Sequence, residues 1–360
     1  MKQKIIKNLA SNDNKNQNGN AIKSMFKDDW YKMNKAILYS IVLFFFVFLY
    51  SCGPAQGVDY KVVSVPEEGG MRFVKYTEEH ENVMGPLTVL NENGKLLWYA
   101  APLISISPNG EKLAYIASGN NFTNLYIKNI SGGKAVVQRT FNRNINDMNF
   151  SPDGKSIAFT AAKGNDQNVY LINADEGAAV QQIVATTANE LGPSFSKEGE
   201  MLFFTKEELG RFYVWSVNLT TALQTQYSEG FTPVMDPSGK FLVVTRNSKD
   251  GSRGEIWTID LTKGTETQIM SDPVKGFSSP AISPDGQKII CVGSTEKESN
   301  RTQNLDLYMF NIDGTGLKQL TFHEGNDVSP QWSPDGNSIF FLSQRGNEAG
   351  KFNIWKVNAY

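Results

Sequence analysis

Histidine and cysteine are nearly missing from this chain, with two of each in 360 residues. One cysteine pair cannot build a disulfide framework, and if Cys52 is consumed by modification, Cys291 has no partner. Cys291 stands in the apolar run Ile289-Ile290-Cys291-Val292 and reads as a small core hydrophobe. With only His80 and His323, a site made of several imidazoles is excluded, and no His-x-x-x-His or paired-cysteine spacing marks a tight zinc site. No Gly-x-Ser-x-Gly elbow occurs, which removes the hydrolase nucleophile of that type. Net charge is only −2, and the sum hides an asymmetry. Residues 1–52 carry eight lysines against three aspartates, leaving 27 basic and 34 acidic side chains in residues 53–360. An acidic body of that kind argues against a phosphate-binding face, so no nucleic-acid partner is expected.

Long apolar runs are equally scarce. Residues 36–50 (AILYSIVLFFFVFLY) form a 15-residue block. That is short for a bilayer span of about 20 residues and suits a signal h-region. Residues 1–32 are rich in Asn and Lys without apolar periodicity, a disordered composition, and Met33 offers an alternative start. Directly after the block comes Ser51-Cys52-Gly53.

What the chain has in quantity is one turn. Ser-Pro-Asp-Gly stands at Ser151-Pro152-Asp153-Gly154, Ser283-Pro284-Asp285-Gly286 and Ser333-Pro334-Asp335-Gly336. Relaxed copies are Ser107-Pro108-Asn109-Gly110, Ser196-Lys197-Glu198-Gly199 and Asp236-Pro237-Ser238-Gly239. Proline presets φ for the turn, Asp or Asn bonds to the local backbone, and glycine takes the left-handed position. The turn glycines Gly110, Gly154, Gly199, Gly239, Gly286 and Gly336 are spaced by 44, 45, 40, 47 and 50 residues. A period in the forties with strands between the turns is that of a propeller blade.

Each glycine is followed by an unalternating apolar strand such as Leu113-Ala114-Tyr115-Ile116 or Ile339-Phe340-Phe341-Leu342. Such a strand is covered on both faces. Further on stand the aromatics Tyr126, Tyr170, Trp215, Trp257, Tyr308 and Trp355. Three residues beyond each comes Asn or Asp: Asn129, Asn173, Asn218, Asp260, Asn311 and Asn358. A column present in every blade reads as packing plus turn initiation rather than as a ligand platform. The last blade lacks a fourth strand, which Phe73-Val74-Lys75-Tyr76-Thr77 is expected to supply.

The predicted fold is thus all-β, a six-bladed propeller of four-stranded antiparallel blades closed by an amino-terminal strand. Residues 86–101 resemble residues 102–117 and are read as an inserted hairpin, with a seventh blade as the alternative. The predicted organisation is a basic n-region (1–32), a signal peptide (33–51), a tether (52–71) and the propeller (72–360).

The repeat, with its aliphatic-aromatic pairs Val169-Tyr170, Leu307-Tyr308 and Ile354-Trp355, resembles the WD-like repeat of TolB-type propellers. That likeness implies a periplasmic protein that binds lipoproteins and other envelope partners. The separate amino-terminal domain of that family is replaced here by a segment resembling a bacterial lipobox. The lipobox likeness implies lipidation at Cys52 and, with Gly53 after it, the outer membrane; Tyr50 departs from the pattern, and an uncleaved anchor is the alternative. Periplasmic or surface exposure is open.

Related repeats occur in prolyl-oligopeptidase propellers, whose hydrolase motif is missing, and in oligogalacturonate lyases, which hold a metal with several histidines. His80 and His323, beside Glu79, Glu81 and Glu324, fall in equivalent loops and read as solvated. Asp147, Glu190 and Asp327 precede the innermost strands and are the candidates for a channel cation, against the reading of solvated rim carboxylates. No cofactor is expected. The loops between second and third strands (119–124, 162–168, 206–211, 246–254, 294–304 and 344–351) are polar and unequal, as specificity loops are. Arg246, Lys249, Arg253, Lys297, Arg301 and Arg345 cluster there as binding-face candidates, with Glu207 and Glu208 on blade three. The expected function is a non-enzymatic platform for envelope proteins. A carbohydrate- or small-ligand-binding or hydrolytic propeller is the alternative.

Overall fold

The computed structural model describes residues 65–68, 71–78, 81–85, 89–90, 96–97, 102–119, 121–132, 136–164, 166–175, 179–296, 303–346 and 350–359. Cys52, the apolar block, Glu79, His80, Lys297, Arg301 and most of residues 86–101 lie outside them.

Six antiparallel sheets follow one another along the chain. Blade one holds Ile104–Ile106, Lys112–Gly119, Phe122–Asn129 and Val137–Gln138. Blade two holds Ile145–Phe150, Ser156–Lys163, Asp166–Asn173 and Gln181–Val184. Blade three holds Asn189–Phe195, Met201–Glu208, Arg211–Asn218 and Gln224–Glu229. Blade four holds Phe231–Met235, Phe241–Asn247, Gly254–Asp260 and Glu266–Met270. Blade five holds Phe277–Ile282, Lys288–Glu296, Gln303–Asn311 and Lys318–Gln319. Blade six runs Asp327–Trp332, Ser338–Ser343 and Asn353–Asn358, and its fourth strand is Met71–Lys75. The predicted closure is therefore present, with Phe73 opposite Val357 and Lys75 opposite Trp355. Tyr76 N donates to Ile354 O at 2.7 Å, and Ile354 N donates to Thr77 Oγ1 at 2.8 Å. A fifth strand, Val65–Glu68, caps the outer edge of this blade. Residues 89–90 and 96–97 pair only with each other, as an inserted hairpin would.

The second strands are buried on both faces, as their unalternating apolar sequence requires. Leu113, Ala114, Tyr115 and Ile116 in blade one, and Ile339, Phe340, Phe341 and Leu342 in blade six, are almost fully removed from solvent. The aromatic column packs. Tyr126 stacks on Tyr115 and Tyr170 on Phe159, with centroids 5.8 and 5.5 Å apart, while Trp355 is fully buried.

All six turn glycines have φ between 70° and 80°, and each donates its N–H to the first residue of its turn at 2.8–2.9 Å. In the strict copies the serine Oγ bonds the aspartate carboxylate, and the same carboxylate accepts the N–H of Lys155, Gln287 or Asn337 at 3.0 Å. The turns also touch each other. The second residue of one turn stands against the glycine of the next: Pro108 on Gly154, Pro152 on Gly199, Lys197 on Gly239, Pro237 on Gly286, Pro284 on Gly336 and Pro334 on Gly110. The sixth contact returns to the first blade, so one end of the propeller is a closed circle of prolyl or lysyl side chains on glycine backbone.

Candidate interaction face

Strand direction divides the propeller into two ends. The circle of turns and the links between third and fourth strands occupy one end; the loops between second and third strands and the connections between blades occupy the other. That second end is the loop face.

Its cations differ in how the fold holds them. Arg246, at the end of the second strand of blade four, stacks over Trp257 at 4.7 Å, pairs with Glu266 at 2.8 Å and donates to Glu229 O and Ser228 Oγ at 2.7 and 2.8 Å. Lys206 repeats the arrangement on blade three, 4.6 Å from the Trp215 ring and 2.9 Å from Glu208. Between Arg246 and Arg253 runs Ser248-Lys249-Asp250-Gly251, which has the geometry of the opposite-face turns. Gly251 (φ 66°) donates to Ser248 O at 2.7 Å, and Ser248 Oγ bonds Asp250 at 2.5 Å. Lys249 takes the position of the proline and is exposed, and Arg253 faces Asp250 at 3.8 Å. Hydrogen bonds from the Ser248 and Ser252 hydroxyls hold the Asp250 carboxyl well below its ordinary value.

Arg345 is not on this surface. It is fully buried, its guanidinium 3.9 Å from the Phe73 ring centroid and its Nη2 2.5 Å from Asp327 Oδ2. Its Nε donates to Ser343 Oγ at 2.9 Å. The expectation of an exposed loop cation fails because a carboxylate and an aromatic from two other strands of its sheet meet at this point and draw the side chain inward.

The three carboxylates proposed for a channel cation are likewise fully buried and are turned into the blade walls. Asp147 accepts from Thr160 N, Thr160 Oγ1 and Gly192 N at 3.1, 2.6 and 2.9 Å, bracing blade two against blade three. Asp327 is taken by Arg345; burial pushes its carboxyl up, and the guanidinium opposes that shift. Glu190 accepts from the Thr186 hydroxyl through one oxygen, while its Oε2 is buried with no hydrogen-bond partner. Burial raises its pKa, the Thr186 bond opposing. Among the described residues no three His, Cys, Asp or Glu side chains come together as a metal site. His323 accepts from Gly325 N at 2.9 Å through Nδ1. Glu81 is committed to Lys128 at 2.9 Å and to the Tyr115 hydroxyl at 2.7 Å.

Sequence reasoning also missed a bulge that recurs on the innermost strands of blades three to six. Gly192, Thr232, Ser279 and Ser329 have φ of 61°, 49°, 52° and 55°, and each precedes a proline on an innermost strand. The strand register shifts at each of these four places. Pro193, Pro233, Pro280 and Pro330, with Pro102, then line a central cavity of about 160 Å³. The recurring Gly/Thr/Ser-Pro dipeptide ahead of the turn was the available signal.

A family model described as TolB beta propeller domain matches residues 91–297 and 251–359. The Tol-Pal system protein TolB of Francisella tularensis is 31% identical over 142 residues, 37% of this chain and 31% of that protein. The matched stretches span 10% to 53% of the length of the first curated relatives. Among solved structures, TolB from Acinetobacter baumannii superposes with a TM-score of 0.58 at 20% identity, covering 69% of this chain and 64% of that one. An oligogalacturonate lyase in complex with manganese gives 0.53 at 12% identity, covering 84% and 94%. These structural likenesses speak to the fold alone.

Proposed function

The chain belongs to the TolB beta propeller family, and from that premise we propose that it is a lipid-anchored, non-enzymatic interaction platform of the cell envelope. The observation that carries this reading is the loop face of blades three and four. There Arg246, Lys206 and Asp250 are held in fixed positions by stacking, ion pairs and serine hydroxyls. Charges fixed in both signs guide docking with a charged protein surface. Arg246, Lys249 and Arg253 form the described part of the binding face; Lys297 and Arg301, the remaining candidates, lie outside the described residues. The anchor is Cys52. Partners are envelope proteins of the kind suggested by a relative named for the Tol-Pal system, including other lipoproteins or an outer-membrane complex.

The test is crosslinking and pull-down from intact envelopes with the wild-type chain and with Lys249→Glu. A partner recovered with wild type and reduced with the variant supports the reading; an identical background profile from both overturns it. Cys52→Ser tests the anchor separately, since release into the soluble fraction is expected and unchanged membrane retention favours an uncleaved anchor.

A second reading, a carbohydrate or small-ligand propeller with a bound cation, draws on one observation, the unpartnered Oε2 of buried Glu190. Calcium, manganese or zinc that raises Tm in wild type and not in Glu190→Gln favours it over the platform.

A further inference from the structure

We infer that Leu209 is the apolar anchor of the interaction face, and that it fits a protein partner offering an apolar socket with carboxylates at its rim. This rests on the platform reading of the loop face and adds to it the residue and the partner chemistry.

Three hairpins of the same build make the case. The second and third strands of blades one, two and three end in the pairs Gly119 opposite Phe122, Lys163 opposite Asp166 and Glu208 opposite Arg211. Between those pairs the sequence reads Asn120-Asn121, Gly164-Asn165 and Leu209-Gly210. Two-residue links between antiparallel strands need positive φ, which asparagine and glycine adopt readily. Asn121, Gly164 and Gly210 have φ of 66°, 71° and 76°, and Leu209 has 51°. Of the three blades, only the third puts a large apolar side chain at such a position.

The fold gives this leucine nothing in return. Leu209 is 105% exposed, and even a Cβ added to Gly210 would meet no atom within 4 Å, so the tip stands clear of its own chain. A side chain that carries backbone strain and packs against nothing inside the molecule has its contact outside it.

Position ties the tip to the fixed charges. Tyr213, in the strand that leaves Leu209, stands opposite Glu229, and Gly230 N donates to Phe212 O at 2.9 Å. Glu229 O in turn accepts from Arg246 Nε at 2.7 Å. The hairpin of blade three and the stacked arginine of blade four therefore belong to one patch.

Charge gives the rim of the socket. Glu207 accepts from Asn189 Nδ2 at 2.9 Å, Glu208 pairs with Lys206, and Asp250 is held by Ser248 and Ser252. Arg211 and Lys249 are exposed and enter no ion pair among the described residues, against one exposed carboxylate, Glu229, on the connection between the two blades. The charge left open to a partner is positive on balance, which calls for carboxylates around the socket.

The test places a benzophenone amino acid at position 209 and, in a second chain, at position 223, where Leu223 is 68% exposed at the opposite end. Both full-length chains are irradiated in intact envelopes. The protein joined at 209 and absent at 223 is purified and titrated against wild type, Leu209→Asn, Leu209→Met and Lys249→Glu. Affinity is expected to fall about tenfold or more with Leu209→Asn and with Lys249→Glu, and to survive Leu209→Met. Asparagine suits the backbone here, so Leu209→Asn is expected to melt no lower than wild type, and misfolding cannot account for the loss. Unchanged affinity in Leu209→Asn beside a loss in Lys249→Glu overturns the anchor and leaves the platform standing, while the reverse pattern overturns the acidic rim. A 209 adduct that contains only a second copy of this chain or lipid, or no adduct at all, overturns the proposal. If the Lys249→Glu pull-down is then also unchanged, the platform falls with it.

Discussion

Arg345 joins Asp327 at 2.5 Å on one side and covers the ring of Phe73 at 3.9 Å on the other. One buried cation thus couples the first strand of blade six to the strand supplied by the amino-terminal segment. Removing it strands a carboxylate in the core, and Arg345→Ala is expected to cost about 3–5 kcal/mol in urea unfolding. Phe73→Ala is expected to cost about 3–5 kcal/mol as well. The double variant is expected to lose less than the sum, because both changes destroy the same contact.

The circle of turns makes a graded prediction. Gly154 and Gly164 have nearly equal φ, 70° and 71°. A Cβ on Gly154 meets Pro108 Cδ at 3.3 Å, while one on Gly164 meets nothing within 4 Å. Gly164→Ala is expected to lose about 1 kcal/mol from backbone strain, and Gly154→Ala visibly more, both read by denaturant midpoint.

Two sets of carboxylates pull stability in opposite directions with pH. Glu190 titrates above its ordinary 4.5 in the folded chain because it is buried. The folded state therefore binds the extra proton, and this contribution is lost as pH rises from 4.5 through the folded value. Glu190→Gln is expected to raise Tm at pH 7 and to flatten that part of the profile. The turn aspartates Asp153, Asp285 and Asp335 titrate below 3.8, so their contribution is present above 3.8 and lost as pH falls through their folded values. Asp285→Asn is expected to lower Tm at neutral pH and to flatten the acid limb, the two chains converging as pH falls through the folded value. Thermal melts from pH 3 to 8 check both.

Leu209→Gly is expected to stabilise the propeller by about 1 kcal/mol, since glycine adopts φ near 51° without the penalty that leucine carries. A differential scan of the two chains reads the shift.

The ring was legible because its signals are local: Ser-Pro-Asp-Gly dictates its own turn, and an unalternating strand announces cover on both faces. Closure was legible from the missing fourth strand. Arg345 was not, because its sequence neighbours are polar and the residues that bury it, Asp327 and Phe73, come from elsewhere in the chain. Asp147 was read as a rim carboxylate, although the backbone amide whose hydrogen bond it accepts, Gly192, belongs to the next blade and sits in the bulge before Pro193, which no local pattern around Asp147 reveals. Ser248-Lys249-Asp250-Gly251 spells the same turn with lysine for proline and was open to recognition.

Thr77 bonds Asn353 across 276 positions of sequence. Blade six is therefore one sheet assembled from segments nearly the whole propeller apart in sequence, and its completion depends on a pairing of very high sequence separation that no local turn can guide.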